Sequence, residues 1–431
     1  MVRVIMFSKN KIDKAGKILA SGQYSDEEYI EADDIFNEYR EAHLQPLIDV
    51  TSKIQSWMEE LSIIYCMAYR LKRKPQILKK LLRFTTRLSQ LQDIGGCRII
   101  VDNNKATDMV IALVKRKVLR SKFFLIKHIT DYRDRGRDIT GYRAVHIIIE
   151  RDRKTLEIQI RTRMQHYWAE SVERASIIYR KNLKETEGDK EVISYFKLSS
   201  DVFYNLEHSY PISPEKKIAL ETAREKAEKI IRENDEFEIL HSSIEKNFID
   251  AMESAEYKAN RKIQNWLLIF NWKTGNFQNW QRVDVKDPRK VACIYAKYER
   301  DYSVDNGYEV VMVGATDVST IRHTHSHYFG IEKYDNILDS LEDSMLQVRK
   351  EKNKDNVSIM LLFRLMTHGR WGKKAVSINT IKNHYNVGAS GEDLLSKIYD
   401  LEKESLIIYD RRKECISLNY AKKGEILKIV W

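Results

Sequence analysis

The residues best suited to chemistry lie in two short runs, RLSQLQDIGGCRIIVD at 87–102 and DYRDRGRDITGYRAVHIIIERDRKTLEIQIRT at 131–162. Each run holds an acid beside a strand-like segment, Asp93 before an apolar stretch and Glu157 within an alternating one. Magnesium in nucleotide sites takes one or two protein carboxylates and completes its shell with phosphate oxygens and water. Asp93 and Glu157 are therefore candidate ligands for a Mg²⁺ cofactor, although either acid alone is more often a turn cap or a solvated strand residue.

The second run predicts strands with one polar face. In LEIQIR, apolar residues alternate with Glu157, Gln159 and Arg161, which is the pattern of a half-buried strand. In GYRAVHIII, the same period of two places Tyr142 and His146 on one face. We therefore expect Tyr142 and His146 to neighbour Glu157.

Two glycines, Gly95 and Gly96, follow Asp93 closely. Small residues allow the backbone to approach a bound molecule. We therefore expect this glycine pair to lie against the ligand.

A basic segment, YRLKRKPQILKKLLRFTTR at 69–87, contains eight lysines and arginines and no acid. The whole chain of 431 residues has a formal net charge of +11. Such charge suits a polyphosphate or a nucleic acid, and it is also typical of a solvated helix face. Charge alone does not choose between these interpretations.

The order of these motifs resembles the synthetase domain of the RelA/SpoT alarmone synthetases. The resemblance covers roughly residues 65–180 and is carried by R-L-K, Ile77 with Lys80, QDIGGCRII, GYRAVH, LEIQIRT and MQHYWAESVE. It implies an α+β fold, with a mixed, nucleotidyltransferase-like sheet and flanking helices. It also implies pyrophosphate transfer from ATP to the 3′-hydroxyl of GDP or GTP, which makes (p)ppGpp.

The resemblance implies three groups of site residues. The side chains expected to bind ATP are Arg70, Lys72, Lys80 and Arg98. Those expected at the acceptor are Tyr142, stacking on the base, with His146, Gln159 and Arg161. The catalytic and metal-binding pair is Asp93, as Mg²⁺ ligand, and Glu157, as Mg²⁺ ligand or general base.

Three departures from the family pattern leave the acceptor open. Ala144 stands where the family usually has Ser, Arg137 and Asp138 stand where it usually has a Lys, and the loop carries an extra residue. The motif QDIGGCR also resembles that of toxic small alarmone synthetases, some of which pyrophosphorylate the 3′ CCA end of tRNA. An alternative of another class is a nucleic-acid-binding regulator that only senses nucleotides. A sensor could dispense with both Asp93 and Glu157, which this chain retains.

The remaining pattern predicts three domains, at 1–263, 264–345 and 346–431. Residues 26–67 are predicted to be helical and belong to the synthetase domain. From residue 264, a hairpin, a helix and a buried strand predict a small α/β unit. Within that unit His323, His325 and His327 alternate and could share a metal if they lie on a strand, but not on a helix.

The C-terminal pattern of helices and a hairpin predicts a winged-helix-like domain. Its usual partner is DNA, but the expected recognition helix, GEDLLSKIYDLEKE, holds five acids and two lysines, and acids repel phosphate. A protein partner, or contact with the synthetase domain itself, is therefore equally open. If the acidic helix covered the nucleotide face, deleting 264–431 would activate the enzyme.

Several classes are excluded on composition. No apolar run approaches the roughly 20 residues that span a bilayer, the N-terminus lacks a signal-peptide pattern, and the four cysteines have no metal-ligand spacing. We therefore expect a cytoplasmic protein with no membrane partner. The chain has no His-Asp dipeptide, and in this it resembles the synthetase-only members of the family. For such members an oligomer is possible.

Overall fold

The computed structural model describes residues 7–137, 140–179, 181, 183, 187–234, 251–252, 264–271, 273–274, 276–285, 287–303, 306–315, 318, 321, 355–385, 387, 389 and 391–430. His323, His325 and His327, the alternative metal ligands, lie outside the described residues. In the described part of the chain, every helix is too short or too polar to cross a membrane.

Three helices precede the sheet. They are α1 (Lys9–Ser21), α2 (Asp26–Glu41) and α3 (Leu44–Met58). Ser25 begins α2 with a capping box, in which its side chain accepts from the amide of Glu28 and the Glu28 carboxylate accepts from the amide of Ser25. The prediction of helix up to residue 67 is wrong at its end, because residues from Tyr65 onward form a strand. The run IIYCMAY is apolar on both faces, which suits a central strand as well as a helix.

One mixed sheet of eight strands organises the described residues, so the expectation of an α+β fold is confirmed. Its strands are β1 (Tyr65–Leu71), β2 (Gly95–Val101), β3 (Leu125–Asp131), β4 (Val145–Arg151), β5 (Lys154–Thr162), β6 (Gln264–Asn271), β7 (Asn276–Val283) and β8 (Tyr308–Ala315). Their order is β3-β4-β5-β2-β1-β8-β6-β7. The pair β2 and β5 is parallel, and every other neighbouring pair is antiparallel.

Helices cover the sheet and fix which face becomes the core. They are α4 (Lys74–Phe84), α5 (Asn104–Leu119), α6 (Arg163–Tyr179), α7 (Lys190–Glu207), α8 (Pro214–Glu233) and α9 (Pro288–Asp301). Leu156, Ile158 and Ile160 of β5 are fully buried in the core, to which α3 and α5 also contribute side chains. The polar residues that alternate with them therefore lie on the opposite face, where α6 packs.

The sheet continues across the predicted boundary at residue 263. The hairpin, helix and strand predicted for the next segment are confirmed as β6, β7, α9 and β8. However, β8 pairs with β1 through Tyr69 with Gly314 and Arg70 with Val313, so this segment extends the synthetase sheet. Only glycine fits at position 314, because the Cβ atom of any other residue would lie 1.9 Å from the Tyr69 ring. The division into three domains remains a prediction, but its first boundary falls inside one sheet.

The C-terminal module has the predicted order of elements. It contains α10 (Asn356–Thr367), β9 (Val376–Ser377), α11 (Ile378–His384), α12 (Gly391–Lys403), β10 (Ile407–Asp410), β11 (Cys415–Leu418) and α13 (Lys423–Val430). The winged-helix assignment itself remains a prediction. Buried Arg364 joins the module to the synthetase domain, because its Nη1 atom lies 2.7 Å from the Glu59 carboxylate after α3. Acidic α12 packs on α10 and β10, and none of its described ion pairs joins the active-site face.

Candidate active site

Asp93 lies just before β2 and is the centre of a small cationic cluster. Its Oδ2 atom accepts from Lys72 Nζ at 2.6 Å and from Lys80 Nζ at 2.8 Å. Burial acts to raise the pKa of Asp93, but the two ammonium groups outweigh burial and lower it to about 2. Because the folded pKa lies below the ordinary value, the ionised carboxylate stabilises the fold above about pH 4. This contribution is lost as the pH falls towards 2.

The other carboxylate oxygen of Asp93 lies in a different environment. Oδ1 is buried and has no hydrogen-bond partner among the described residues. Buried carboxylate oxygens are nearly always satisfied by a donor, a water or an ion. An oxygen of this kind, on a carboxylate already ionised, is suited to a cation.

Glu157 lies on β5, on the strand next to the one that Asp93 precedes. Parallel pairing places it beside Gly96. Burial alone would raise the pKa of the Glu157 carboxyl. The hydrogen bond and charge of His146 outweigh burial and the nearby Asp93 charge, and the pKa stays below its ordinary value. Both acids are therefore ionised at neutral pH.

A closed ring of hydrogen bonds runs from Glu157 through four neighbouring side chains. Glu157 Oε1 lies 2.8 Å from His146 Nδ1, and His146 Nε2 lies 2.7 Å from the Tyr142 hydroxyl oxygen. Arg161 Nη2 donates to that hydroxyl at 2.7 Å and to Gln159 Oε1 at 2.8 Å. Gln159 Nε2 donates back to Glu157 Oε2 at 2.6 Å. The expectation that His146 neighbours Glu157 is confirmed, whereas Tyr142 reaches Glu157 only through other members of the ring.

The ring fixes the protonation states of its members. Burial disfavours charge on His146, but the Tyr142 hydroxyl and the Glu157 carboxylate raise its pKa to about 9. A charged imidazole donates from both nitrogens, so the Tyr142 oxygen accepts from both His146 and Arg161. Although burial opposes it, the charges of Arg161 and His146 lower the pKa of Tyr142. The stabilisation from charged His146 is full below pH 6.5 and is lost as the pH rises to about 9.

Arg161 retains unused donors inside the site. Its residue is 2% exposed, and its Nε and Nη1 atoms have no hydrogen-bond partner in the described part of the chain. A buried guanidinium with unsatisfied donors is costly unless an anion or an oxygen-rich molecule completes it. The Nε and Nη1 donors of Arg161 are therefore suited to bind a ligand that bears phosphate or hydroxyl oxygens.

The residues expected to bind ATP separate into two places. Arg70 lies on β1 opposite Gly96, beside the Asp93 cluster, and makes no ion pair with any described residue. Lys72 and Lys80 belong to that cluster. Arg98 lies on β2 next to Gln159 but turns towards α6, where its Nη1 atom donates to buried Glu170 at 3.0 Å. Of the four residues expected to bind ATP, Arg70, Lys72 and Lys80 therefore lie on one side, and Arg98 lies apart from them.

The expectation for the two glycines is wrong for Gly95. A Cβ atom there would lie 2.8 Å from Leu156 Cδ2, so Gly95 is small because it faces the packed core. Gly96 lies on the polar face between Arg70 and Glu157. The alternation of a strand sends neighbouring residues to opposite faces, which is why only one glycine of the pair can border the ligand.

Two neighbours of the candidate site were missed by the sequence analysis. Tyr132 packs edge-on against His146 and Tyr142, with ring centroids 5.3 and 6.3 Å away. Arg143 is buried, donates to the Asp134 carbonyl at 2.6 Å and pairs with Asp201 at 2.7 Å, and so fixes the loop before Tyr142. A charged residue at an apolar position of GYRAVH was the available signal for Arg143. Tyr132 offered none, because its approach depends on the pairing of β3 with β4.

The arrangement fits a magnesium ion bound with phosphates. Among the described side chains, no three His, Cys, Asp or Glu residues form a metal cage. Asp93 and Glu157 would be the protein ligands, since they lie on neighbouring strands and Asp93 Oδ1 has no other partner among the described residues. Two carboxylates are sufficient when phosphate oxygens and water supply the other ligands.

Comparison with known proteins places the site in a family. Residues 69–184 match the model of a region found in RelA / SpoT proteins. The chain therefore contains a RelA/SpoT-type synthetase domain, and it is an enzyme of the pyrophosphotransferase class. No curated protein matches the chain.

Several solved structures are similar to part of the chain. Small alarmone synthetase 2 from Bacillus subtilis is 23% identical, covering 43% of this chain and 96% of its own, with a TM-score of 0.32. Small alarmone synthetase 1 from Bacillus subtilis, bound to its product pppGpp, is 23% identical, covering 43% and 94%, with a TM-score of 0.32. A GTP pyrophosphokinase family protein from Streptococcus pneumoniae is 20% identical, covering 43% and 95%, with a TM-score of 0.34. At these sequence identities and TM-scores, the structural similarity does not strengthen the family match.

Proposed function

We propose that the chain transfers pyrophosphate from ATP to the 3′-hydroxyl of GDP or GTP. In this reaction the 3′-oxygen attacks the β-phosphorus of ATP, the bond between the α-phosphate and the β-phosphorus breaks, and AMP leaves. The observation that carries the proposal is the geometry of Asp93, with one oxygen bound by two lysines and the other unsatisfied, near Glu157 on the neighbouring strand. Phosphoryl-type transfer depends mainly on such positioning and charge neutralisation.

The donor half of the reaction uses the cationic cluster. Lys72 and Lys80 neutralise Asp93, and a polyphosphate would offer both ammonium groups a second anionic partner. Arg70, on the same side, adds a third cation. Mg²⁺ held by Asp93 and Glu157 would supply further charge neutralisation on the phosphates.

The acceptor half uses the hydrogen-bonded ring. Arg161 lies over one face of the Tyr142 ring, with its guanidinium carbon 4.8 Å from the centroid, and we propose that the acceptor base stacks on the other face. The unused Arg161 donors suit the oxygens of the acceptor nucleotide. Glu157, held by His146 and Gln159, is the base that we propose takes the proton of the 3′-hydroxyl.

Replacing Tyr142 tests this acceptor assignment. Tyr142→Ala should raise the KM for the acceptor, because loss of stacking on a base costs about 1–3 kcal/mol, equivalent to roughly 5- to 150-fold. Tyr142→Phe should recover most of this loss, since the ring remains. Titration with a nonhydrolysable ATP analogue should show little change in either variant. A loss of analogue affinity as large as the loss for the acceptor would remove Tyr142 from the acceptor side.

A second candidate is transfer to the 3′ end of tRNA, and one surface favours it. On α4 and just after it, Lys79, Arg83, Phe84 and Arg87 are exposed, and the Arg83 guanidinium carbon lies 4.9 Å from the centroid of the Phe84 ring. This basic and aromatic surface continues from Lys80, which binds Asp93. A nucleic-acid acceptor needs phosphate contacts of this kind beyond the nucleotide site, whereas GDP or GTP does not.

The deciding experiment incubates the purified chain with Mg²⁺, γ-labelled ATP and either guanosine nucleotides or total tRNA. Label in a guanosine product supports the first proposal, and label in tRNA supports the second. Labelling of neither, in a protein that binds the ATP analogue, would favour a nucleotide-sensing regulator and reject both.

The two acceptors should respond differently to charge on α4. The double change Arg83→Ala with Arg87→Ala should weaken tRNA modification and reduce its slope against log salt concentration by about 2. Transfer to GDP or GTP should change less than twofold. The matched control is Lys115→Ala with Arg120→Ala, which removes the same charge from exposed positions on and just after α5, a helix that packs on the opposite face of the sheet. Equal responses to the two double changes would leave the α4 surface without a role in tRNA binding.

For the C-terminal module, we propose a protein partner rather than DNA. The helix α12 carries more acids than lysines, and those acids repel phosphate. The buried pairing of Arg364 with Glu59 already ties the module to the synthetase domain.

A further inference from the structure

Arg40, at the C-terminal end of α2, is a buried arginine whose guanidinium binds two distant parts of the chain, Lys72 and the helix α9. It is 3% exposed. Its Nε atom donates to the Lys72 carbonyl at 2.8 Å, Nη1 to Glu299 Oε2 at 2.7 Å and Nη2 to the Tyr295 hydroxyl at 2.7 Å. The Tyr295 hydroxyl in turn donates to the Val310 carbonyl at 3.2 Å. The path thus links α2, α9 and β8 to the end of β1.

The Lys72 backbone is held at both its carbonyl and its amide. Its carbonyl accepts from Arg40, and its amide donates to the Ile94 carbonyl at 2.7 Å, one residue after Asp93. With the backbone fixed in this way, Lys72 Nζ lies 2.6 Å from Asp93. A carbonyl held by a charged, buried donor has little freedom to turn.

We propose that Arg40 is a positioning residue for the ATP side of the site. It sets the Lys72 backbone and, through it, the distance between Lys72 and Asp93, while Tyr295 and Glu299 hold its guanidinium in place. The proposal rests on the proposed function, and it makes α9 and β8 a necessary support of the synthetase domain. Residues near 300 then contribute to ATP binding without touching the nucleotide.

The hydrogen bonds of Arg40 predict the effect of replacing Arg40 or Glu299. Arg40→Lys keeps the charge but cannot donate to three partners, so the Lys72 carbonyl loses its donor. Glu299→Gln keeps the shape but weakens the hold on Arg40. Displacement of a positioning group by about 1 Å can cost about 10²-fold in rate. We expect kcat/KM for ATP to fall about 10- to 100-fold in Arg40→Lys and by less in Glu299→Gln, with the KM for the acceptor within about twofold.

Arg364 offers a matched control. It is also a buried arginine that binds a carboxylate, Glu59, and a backbone carbonyl, that of Leu61. It lies on α10, and its partners Glu59 and Leu61 precede β1, roughly 20 Å from Lys72 along the strand. Arg364→Lys should lower the melting temperature as Arg40→Lys does, yet leave kcat/KM for ATP unchanged. Equal kinetic losses in the two variants would mean that Arg40 only stabilises the fold.

A double-mutant cycle tests whether Arg40 acts through Lys72. Combined with Lys72→Ala, Arg40→Lys should add less than about twofold to the loss of ATP-analogue affinity, because the group that it positions is already absent. Additive losses would overturn the proposal.

Amide exchange separates this proposal from the proposed function. In the ligand-free chain, Arg40→Lys should speed hydrogen exchange at the Lys72 amide at least tenfold, with no change in β5. Unchanged exchange would overturn the role of Arg40 even in an active enzyme. The other outcome is that Arg40→Lys speeds this exchange but the wild-type chain neither binds the ATP analogue nor transfers pyrophosphate. Arg40 would then still position the Lys72 backbone, and the proposed function would be rejected instead.

Discussion

Replacing Glu157 by glutamine should lower the turnover of ATP by about 10²–10⁴-fold, the usual contribution of a general base. Glutamine has nearly the same shape, so the strand and its packing should be preserved. What is lost is the negative charge, which in the wild type acts together with the Tyr142 oxygen, against burial, to raise the pKa of His146 to about 9. The pKa of His146, followed by NMR titration, should therefore fall in the variant.

The Glu157 experiment has a control on the neighbouring strand. Glu150 on β4 pairs with Lys127 at 3.3 Å, outside the hydrogen-bonded ring. Glu150→Gln should retain turnover within about twofold, because ion pairs that are partly open to solvent contribute little. Near-wild-type turnover of Glu157→Gln at saturating Mg²⁺ would show that the proposed active face is wrong.

Replacing Asp93 by asparagine should remove most transfer and raise the Mg²⁺ concentration needed for half-maximal rate. An amide oxygen is a weaker ligand than a carboxylate, and Lys72 and Lys80 would lose the charge that balances them. Several kcal/mol of transition-state stabilisation by a metal corresponds to at least about 10²-fold in rate. The rate should be measured as a function of Mg²⁺ at fixed ATP.

Asp33 provides the control for Asp93. It pairs with Lys74, two residues beyond Lys72, but belongs to α2 and lies outside the cationic cluster. Asp33→Asn should leave the Mg²⁺ dependence unchanged. Asp93→Asn should also flatten the loss of stability between about pH 4 and pH 2, because the carboxylate with the lowered pKa is gone. An unchanged Mg²⁺ dependence in Asp93→Asn would exclude Asp93 as the metal ligand.

The sequence by itself determined which face of the sheet is polar and carries the candidate site. Strand periodicity separated Glu157, Gln159 and Arg161 from the apolar residues between them, and the structure buries those apolar residues completely. The same rule put His146 beside Glu157. This success has a local cause, because a period of two fixes the facing of every side chain once the strand is given. The motif order was likewise sufficient to indicate the family.

Other features were decided by tertiary structure alone. The pairing of β8 with β1 joins two segments that the sequence divided into domains, and a periodic pattern carries no information about which strand is its neighbour. The ring closes only because β4 and β5 pair in one register, with His146 opposite Gln159. Arg40 meets Glu299 across 259 positions of sequence. Contacts at such separations arise from the packing of whole elements, which local residue patterns do not encode.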